Sequence, residues 1–178
     1  YSFANNRVWE PTIGLQGMYQ TNTNAGEEFL VPDYTSNNIG AFAYLKRNFN
    51  NGAINAGVRY DYKNIDGKDL LEEHGDHHHH IFNAFNNSFS NLTGSLGFAF
   101  DVAKNLNLKG NIGSGFRAPN IAELGANGVH HGTFRYEIGN SNLKQETSLQ
   151  FDLGLTYQAE SVTFGLNAYS NKIYNYIY

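Results

Sequence analysis

Apolar side chains recur at every second residue in seven stretches of this chain, and a period of two restricts such stretches to β-strands with two unlike faces. From about Trp9 to Gln20, Ile13, Leu15 and Tyr19 oppose Glu10, Thr12, Gln16 and Gln20, with Met18 breaking the rule. Near Ile39 to Phe49 the pattern is ambiguous, because Ile39, Ala41, Ala43 and Leu45 on one side face Phe42 and Tyr44 on the other. The third stretch is the cleanest, setting Ile54, Ala56, Val58, Tyr60 and Tyr62 against Asn55, Gly57, Arg59, Asp61 and Lys63. Leu92, Leu96, Phe98, Phe100 and Val102 mark the fourth, and Leu106, Leu108, Ile112 and Phe116 the fifth. Leu149, Phe151, Leu153, Leu155 and Tyr157 mark the sixth, and Val162, Phe164, Leu166 and Ala168 the seventh. Pro119 predicts that the ladder of the fifth stretch stops just after Arg117, because proline has no N–H to donate.

The connections alternate in length. Asn50-Asn51-Gly52, Ala103-Lys104-Asn105 and Gln158-Ala159-Glu160-Ser161 read as tight hairpin turns, the first through an Asn-Gly pair that tolerates positive φ. Thr21 to Asn38, Asn64 to Ser88 and Ala118 to Glu146 read as long polar loops. Short turns then gather at one end of an antiparallel sheet and long loops at the other.

Which face is hidden is a separate question, since a soluble barrel buries its apolar face and a membrane barrel shows it to lipid. The stretches run to about 10–13 residues, long for a globular strand and suited to an apolar band of about 25 Å crossed at a tilt. The polar faces carry Asn, Ser, Thr, Gln and Gly where a soluble sheet would carry Lys and Glu. Aromatic residues cluster near strand ends: Tyr19, Tyr60, Tyr62 and Phe116 at one, Trp9, Phe100 and Tyr157 at the other. These features predict an all-β, antiparallel transmembrane β-barrel segment with short periplasmic turns and long extracellular loops; a soluble sandwich or lipocalin-like barrel is the alternative. Seven strands are an odd number, whereas a single-chain bacterial barrel takes an even one, so residues 1–178 are expected to be part of a larger barrel domain.

Composition excludes several classes. Charged residues are 16% of the chain against roughly 25% in ordinary soluble domains. A net charge of -4 without a basic stripe argues against a nucleic-acid partner. There is no cysteine, hence no disulfide and no thiolate metal site, and no apolar run long enough for a transmembrane helix. No nucleophile elbow, phosphate loop or closed pair of carboxylates is visible, so the chain is not expected to be an enzyme.

The run Gly115-Phe116-Arg117-Ala118-Pro119-Asn120-Ile121-Ala122-Glu123-Leu124, followed by Gly139-Asn140-Ser141-Asn142-Leu143-Lys144-Gln145-Glu146-Thr147, resembles the Phe-Arg-Ala-Pro and Asn-Pro-Asn-Leu boxes of TonB-dependent outer-membrane receptors. Ser141 stands where the second box usually has proline. Gly17-Met18-Tyr19-Gln20, Gly26-Glu27-Glu28-Phe29 and Pro32-Asp33-Tyr34 resemble receptors of this family of the Bacteroidetes type. The resemblance implies a barrel of about 22 strands in the outer membrane of a Gram-negative bacterium, with a plug domain absent from these residues. It also implies active transport energised by the TonB complex through that plug.

Metal chemistry, if present, lies in histidine. His74, Asp76, His77, His78, His79 and His80 fall in the second long loop beside Glu72 and Glu73, and imidazoles with carboxylates suit zinc, copper, nickel or iron. In an extended chain His77 and His79, or His78 and His80, share a side, with His74 or Asp76 folding over. A solvated loop that picks up metal adventitiously is the plain alternative; a purification tag is disfavoured because the run is internal. His130 and His131 lie between the two boxes, the position that haem receptors of the family use for an axial ligand, and Arg117 is a further candidate cargo contact or an inward arginine paired with loop carboxylates. No catalytic cofactor is expected; zinc, copper, iron or haem would be cargo. The competing functions are uptake of a metal or metal chelate such as a siderophore or haem, and a passive porin-like or structural barrel.

Overall fold

The period-two stretches form strands, and the strands form one antiparallel sheet. The computed structural model describes residues 9–25, 30–74, 77–130 and 135–178, with backbone alone at 71–74, 77–80 and 130. In chain order the elements are β1 (Trp9–Asn22), β2 (Tyr34–Phe49), β3 (Gly52–Gly67), β4 (Leu70–His74), β5 (His77–Phe82) and β6 (Phe85–Ala103). There follow β7 (Leu106–Arg117), α1 (Ile121–Gly125), β8 (Asn127–His130), β9 (Arg135–Ile138), β10 (Glu146–Gln158) and β11 (Thr163–Tyr174). The main sheet runs β1-β2-β3-β6-β7-β10-β11 and is open, with β1 and β11 at its edges, while β4-β5 and β8-β9 are separate hairpins.

Each strand's apolar set lies on one face. Tyr60 opposes Leu92 and Ala41, and Phe151 opposes Ile112, so the apolar residues of successive strands line up across the ladders. The ambiguous second strand resolves the same way. Phe42 opposes Arg59 and therefore lies on the polar face, and Met18, an even position beside Gln16, lies there too. In the middle of the sheet Leu92 is 66% exposed, Leu96 57% and Leu153 53%. A soluble sandwich would bury these three, whereas lipid would cover them in place. At the short-turn end of this face Arg47 lies 4.8 Å from the ring centres of both Trp9 and Phe49, and Phe49 meets Phe100 at 5.7 Å. A cation among aromatic rings is what a strand end at a membrane–water boundary accommodates.

Two predictions need correction. Four strands exceed 10–13 residues, with 14 in β1, 16 in β2 and β3 and 19 in β6, whereas β7, β10 and β11 have 12, 13 and 12; the second loop is correspondingly shorter, since β3 runs on to Gly67 and β6 already starts at Phe85. Past the apolar band the ladder is continued by polar cross-strand pairs, which hydrophobic periodicity does not register. Asn64 donates to Asn86 Oδ1 at 2.8 Å and to Ser88 Oγ at 3.0 Å, and the Tyr62 and Ser88 hydroxyls bond at 3.0 Å. Positive φ, expected at Asn51-Gly52, occurs instead at Asn105 (64°), in the turn between β6 and β7. Gly52 serves close approach, since a Cβ there would collide with the Ala99 carbonyl and the Phe100 ring.

Among the described residues the buried hydrophobic side chains all sit at the long-loop end: Ile65, Phe82, Phe89, Leu124 and Ala126. Among the described residues, the loops predicted as polar excursions thus supply, with Phe89 of β6, a compact core.

Candidate functional site at the long-loop mouth

The polar face of the sheet forms the wall of the site. Arg59 Nε donates to Asp61 Oδ2 at 2.7 Å and its Nη2 reaches Gln16 Oε1 at 3.0 Å, so β1 and β3 are joined across β2. The Arg59–Asp61 pair lies over Gly40, where any Cβ would overlap both side chains. Nearer the short turns a cavity of about 620 Å³ has Lys46, Asn55, Lys109, Asn111, Asp152 and Asn167 in its lining together with apolar residues such as Phe98, Leu153 and Ala168.

Above this wall the third loop folds back onto the same face. Five residues of helix are too few to persist alone, so α1 depends on three anchors. Asn120 Oδ1 accepts from the Glu123 N–H at 2.9 Å while Glu123 Oε2 accepts from the Asn120 N–H at 2.8 Å, a capping box. Leu124, 2% exposed, packs with Ile65 and Phe89, flanked by Phe85, Ala118, Ile121 and Leu143. Arg117 is the third anchor. Its Nη1 donates to both Glu123 oxygens at 2.9 and 2.8 Å, and its Nε donates to Glu146 Oε2 at 2.7 Å. Glu146 Oε1 in turn accepts from the Ile177 N–H at 2.6 Å. One guanidinium therefore holds together the end of β7, the helix and the start of β10.

The three long loops are stitched at one residue. The Asn127 N–H donates to the Leu30 carbonyl at 3.2 Å, its Nδ2 donates to the Ile81 carbonyl at 2.6 Å, and its Oδ1 accepts from the Tyr136 hydroxyl at 2.8 Å. The Lys68 N–H adds a bond to the Asp33 carbonyl at 2.8 Å, and Gly139 N–H one to Ala126 at 2.7 Å. The Asn127–Ile81 bond sets the base of the β8-β9 hairpin beside the base of β4-β5.

The predicted site residues distribute as follows. His74 and His77 to His80 belong to the β4-β5 hairpin, in which His74 pairs with His77, Glu73 with His78, Glu72 with His79 and Leu71 with His80. By strand alternation, Glu72, His74, His77 and His79 occupy positions of one hairpin face. Asp76, between the two strands, lies outside the described residues, as does His131. His130 ends β8, paired with Arg135. Arg117 stands in the two-carboxylate network above. Sequence reasoning missed Asn127, Glu123, Leu124 and Glu146; Asn120-x-x-Glu123 ahead of an apolar pair was a readable helix-start signal, whereas the Asn127 bonds join residues far apart in the chain.

Comparison with known proteins completes the picture. Residues 2–178 match the family model "TonB dependent receptor-like, beta-barrel". The chain is 29% identical over 195 aligned residues to Hemoglobin-haptoglobin utilization protein B of Neisseria meningitidis serogroup C, covering 96% of this chain and 24% of that protein. It is 31% identical over 96 residues to the Ferric enterobactin receptor of Pseudomonas aeruginosa, covering 47% of this chain and 13% of that one. Its fold matches the Serratia marcescens hemophore receptor HasR, solved in complex with its hemophore HasA and heme, with a TM-score of 0.75 at 20% identity over 94% of this chain and 30% of HasR. The chain thus spans a quarter or less of the curated relatives, and none of those named supports the narrower Bacteroidetes-type resemblance. Barrels of this kind are outer-membrane transport receptors of Gram-negative bacteria rather than enzymes. With the match spanning nearly every residue and the open sheet, exposed apolar face and polar wall all agreeing with it, this chain belongs to the TonB-dependent receptor β-barrel family.

Proposed function

We propose that the protein is an outer-membrane receptor that takes up a metal or metal chelate, energised through TonB, with the long loops outside the cell and the short turns in the periplasm. The observation that carries this reading is the joining of two histidine-bearing hairpins at one base above a polar wall. Strands rise about 3.3 Å per residue, so His77 lies about 13 Å along β5 from the Asn127–Ile81 bond and His130 about 10 Å along β8. These lengths support a mouth bordered by histidines of both hairpins. The register of β4-β5 supports His74, His77 and His79 as a set that could share an ion, with Glu72 at the next position of the same face. Imidazole with carboxylate suits zinc, copper or iron.

A haem cargo is a second reading, favoured by His130 on the hairpin that α1 supports and by relatives named for haemoglobin use and for a haem-bearing complex. Imidazole is an axial ligand to haem iron. A siderophore is compatible with the similarity to the Ferric enterobactin receptor. A plug domain, supplied by the longer protein, would couple the barrel to TonB, and a passive pore would need neither the plug nor the histidines.

The test is calorimetric titration of the full-length receptor in detergent with zinc, copper, ferric siderophores and haem. The titrations are repeated after replacing His74 and His77 to His80 with serine, and separately His130 and His131. Saturable binding lost in the first variant assigns the cargo to the β4-β5 hairpin, and loss in the second alone assigns it to the β8-β9 hairpin. Binding unchanged in both refutes the histidine reading.

A further inference from the structure

Near the short turns the polar wall carries an ammonium group without a counter-ion. Other cations of that face are matched: Lys46 lies 3.8 Å from Glu10, Arg59 bonds Asp61, and Arg117 spans Glu123 and Glu146. Lys63, at the mouth, feels the charges of Glu123 and Arg117 together. Lys109, exposed on β7, makes no hydrogen bond and no ion pair among the described residues. The carboxylates around it are already engaged. Asp152 accepts from Gln150 Nε2 at 2.9 and 3.0 Å, Asp101 from Asn107 Nδ2 at 3.0 Å, and Glu10 from Asn48 Nδ2 at 2.6 Å.

Three amides gather round this lysine. The register sets Asn55, Gly97, Asn111 and Asp152 in one row across β3, β6, β7 and β10. The next row holds Ala99, Lys109, Gly154 and Asn167 across β6, β7, β10 and β11. The glycines show where the side chains go. A Cβ on Gly97 would lie 2.9 Å from Asn55 Oδ1 and 3.3 Å from Asn111 Oδ1, and one on Gly154 would lie 2.6 Å from Lys109 Cε and 2.8 Å from Asn167 Oδ1. Both pairs therefore lean over a glycine on the polar face, the face of Arg59 and Asp61, and all four residues belong to the cavity of about 620 Å³. The three amides, like the lysine, make no side-chain hydrogen bond among the described residues. An ammonium beside amides that donate N–H suits oxygen atoms carrying negative charge. The same ammonium repels a bare metal ion, and no imidazole stands among these groups. The cluster is also remote from the mouth, since Lys109 lies about 26 Å along β7 from Arg117.

We infer that Lys109, with the amides of Asn55, Asn111 and Asn167, forms an inner subsite on the barrel wall for the carboxylate or phenolate oxygens of an anionic metal chelate that has left the mouth. The inference rests on the chelate uptake proposed above, and it adds the charge of the chelate and a second place where it is held. Cargo held by the long loops is out of reach of Lys109, so the subsite acts on transfer through the barrel and not on capture.

Radioiron uptake by cells carrying the full-length receptor, paired with calorimetric titration of the same receptor in detergent, tests it. The probes are ferric citrate, ferric enterobactin and haem, which carry charged oxygens, and a neutral ferric trihydroxamate. For the anionic probe that the wild type takes up, Lys109→Met is expected to lower the saturated uptake rate roughly tenfold, the scale of one charge-assisted hydrogen bond, with affinity at the mouth held within about twofold. Lys109→Arg keeps a cation that donates to oxygen and is expected to restore the rate. Lys104→Met, in the turn between β6 and β7, is expected to change neither quantity. An unchanged rate in Lys109→Met, a rate that Lys109→Arg fails to restore, or wild-type uptake of the neutral trihydroxamate alone overturns the inference and leaves the chelate reading intact. Affinity falling together with the rate also overturns it, as does raised sensitivity of the Lys109→Met cells to a bulky antibiotic, which would assign the lysine to seating the plug. A wild type that takes up none of these probes overturns the chelate reading and the inference with it. Heat-modifiable gel migration confirms that each variant barrel is folded before it is scored.

Discussion

Truncating Leu124 to alanine should detach the third loop from the barrel without loosening the barrel itself. Leu124 is 2% exposed and is the helix's only side chain in the cluster's fully buried set, wedged between Ile65 of β3 and Phe89 of β6. Removing a buried leucine's outer carbons costs about 2–5 kcal/mol, and the lower half of that range applies because the site lies near the surface and can partly collapse. A loss of about 2–3 kcal/mol of local stability raises the open population roughly 30- to 160-fold. Hydrogen exchange of the intact receptor reads this directly. The amides of Ala126, Gly139 and Asn140, which bond to Ala122, Ala126 and Glu123, are expected to exchange faster by that factor. Amides in the centre of β10, such as Leu153 and Leu155, lie in ladders to β7 and β11 that α1 does not touch and are expected to keep the wild-type rate. Equal acceleration in both regions would show that the loop core and the sheet unfold as one unit, and no acceleration would show that the capping box and Arg117 suffice without Leu124. Either result would refute the reasoning.

Two further outcomes follow from the same mouth. Arg117→Lys keeps the charge but cannot span Glu123 and Glu146 with a planar fork; because Arg117 is 43% exposed the loss is expected to be about 1 kcal/mol, seen as a severalfold faster exchange at Asn120 and Glu123 amides that added salt narrows. Asn127→Ala removes the bonds to Ile81 and Tyr136 and is expected to weaken cargo binding in the calorimetric titration while leaving exchange in the main sheet unchanged, since it uncouples the hairpins and touches no ladder of the main sheet; undiminished affinity would mean the hairpins bind independently.

The strands, their faces and the alternation of short and long connections were legible because each is a local property. A strand shows its period within ten residues, and a tight turn within four. Tyr60 and Tyr62 against Arg59 and Asp61 specify one face for lipid and one for the polar wall, whatever lies next to them in space. Arg117-Ala118-Pro119 likewise predicted the end of β7. The polar extensions of β3 and β6 were not legible, because Asn64, Asn86 and Ser88 stabilise strand through partners across the sheet rather than through an apolar period.

The sequence by itself determined the fold class, the sidedness of the sheet and the family resemblance, since these follow from the order of residue types along the chain. Tertiary structure alone decided what the loops do. Leu124, Ile65 and Phe89 are separated by 59 positions from first to last and make a core only after two strands and a helix have been placed. Asn127 becomes a knot only because Leu30, Ile81 and Tyr136 converge on it. Arg117 is a lone cation in the sequence and the clasp between a helix and two strands in the structure. Hydrogen bonds and burial depend on distance in space, and for loop residues no local rule converts distance along the chain into it.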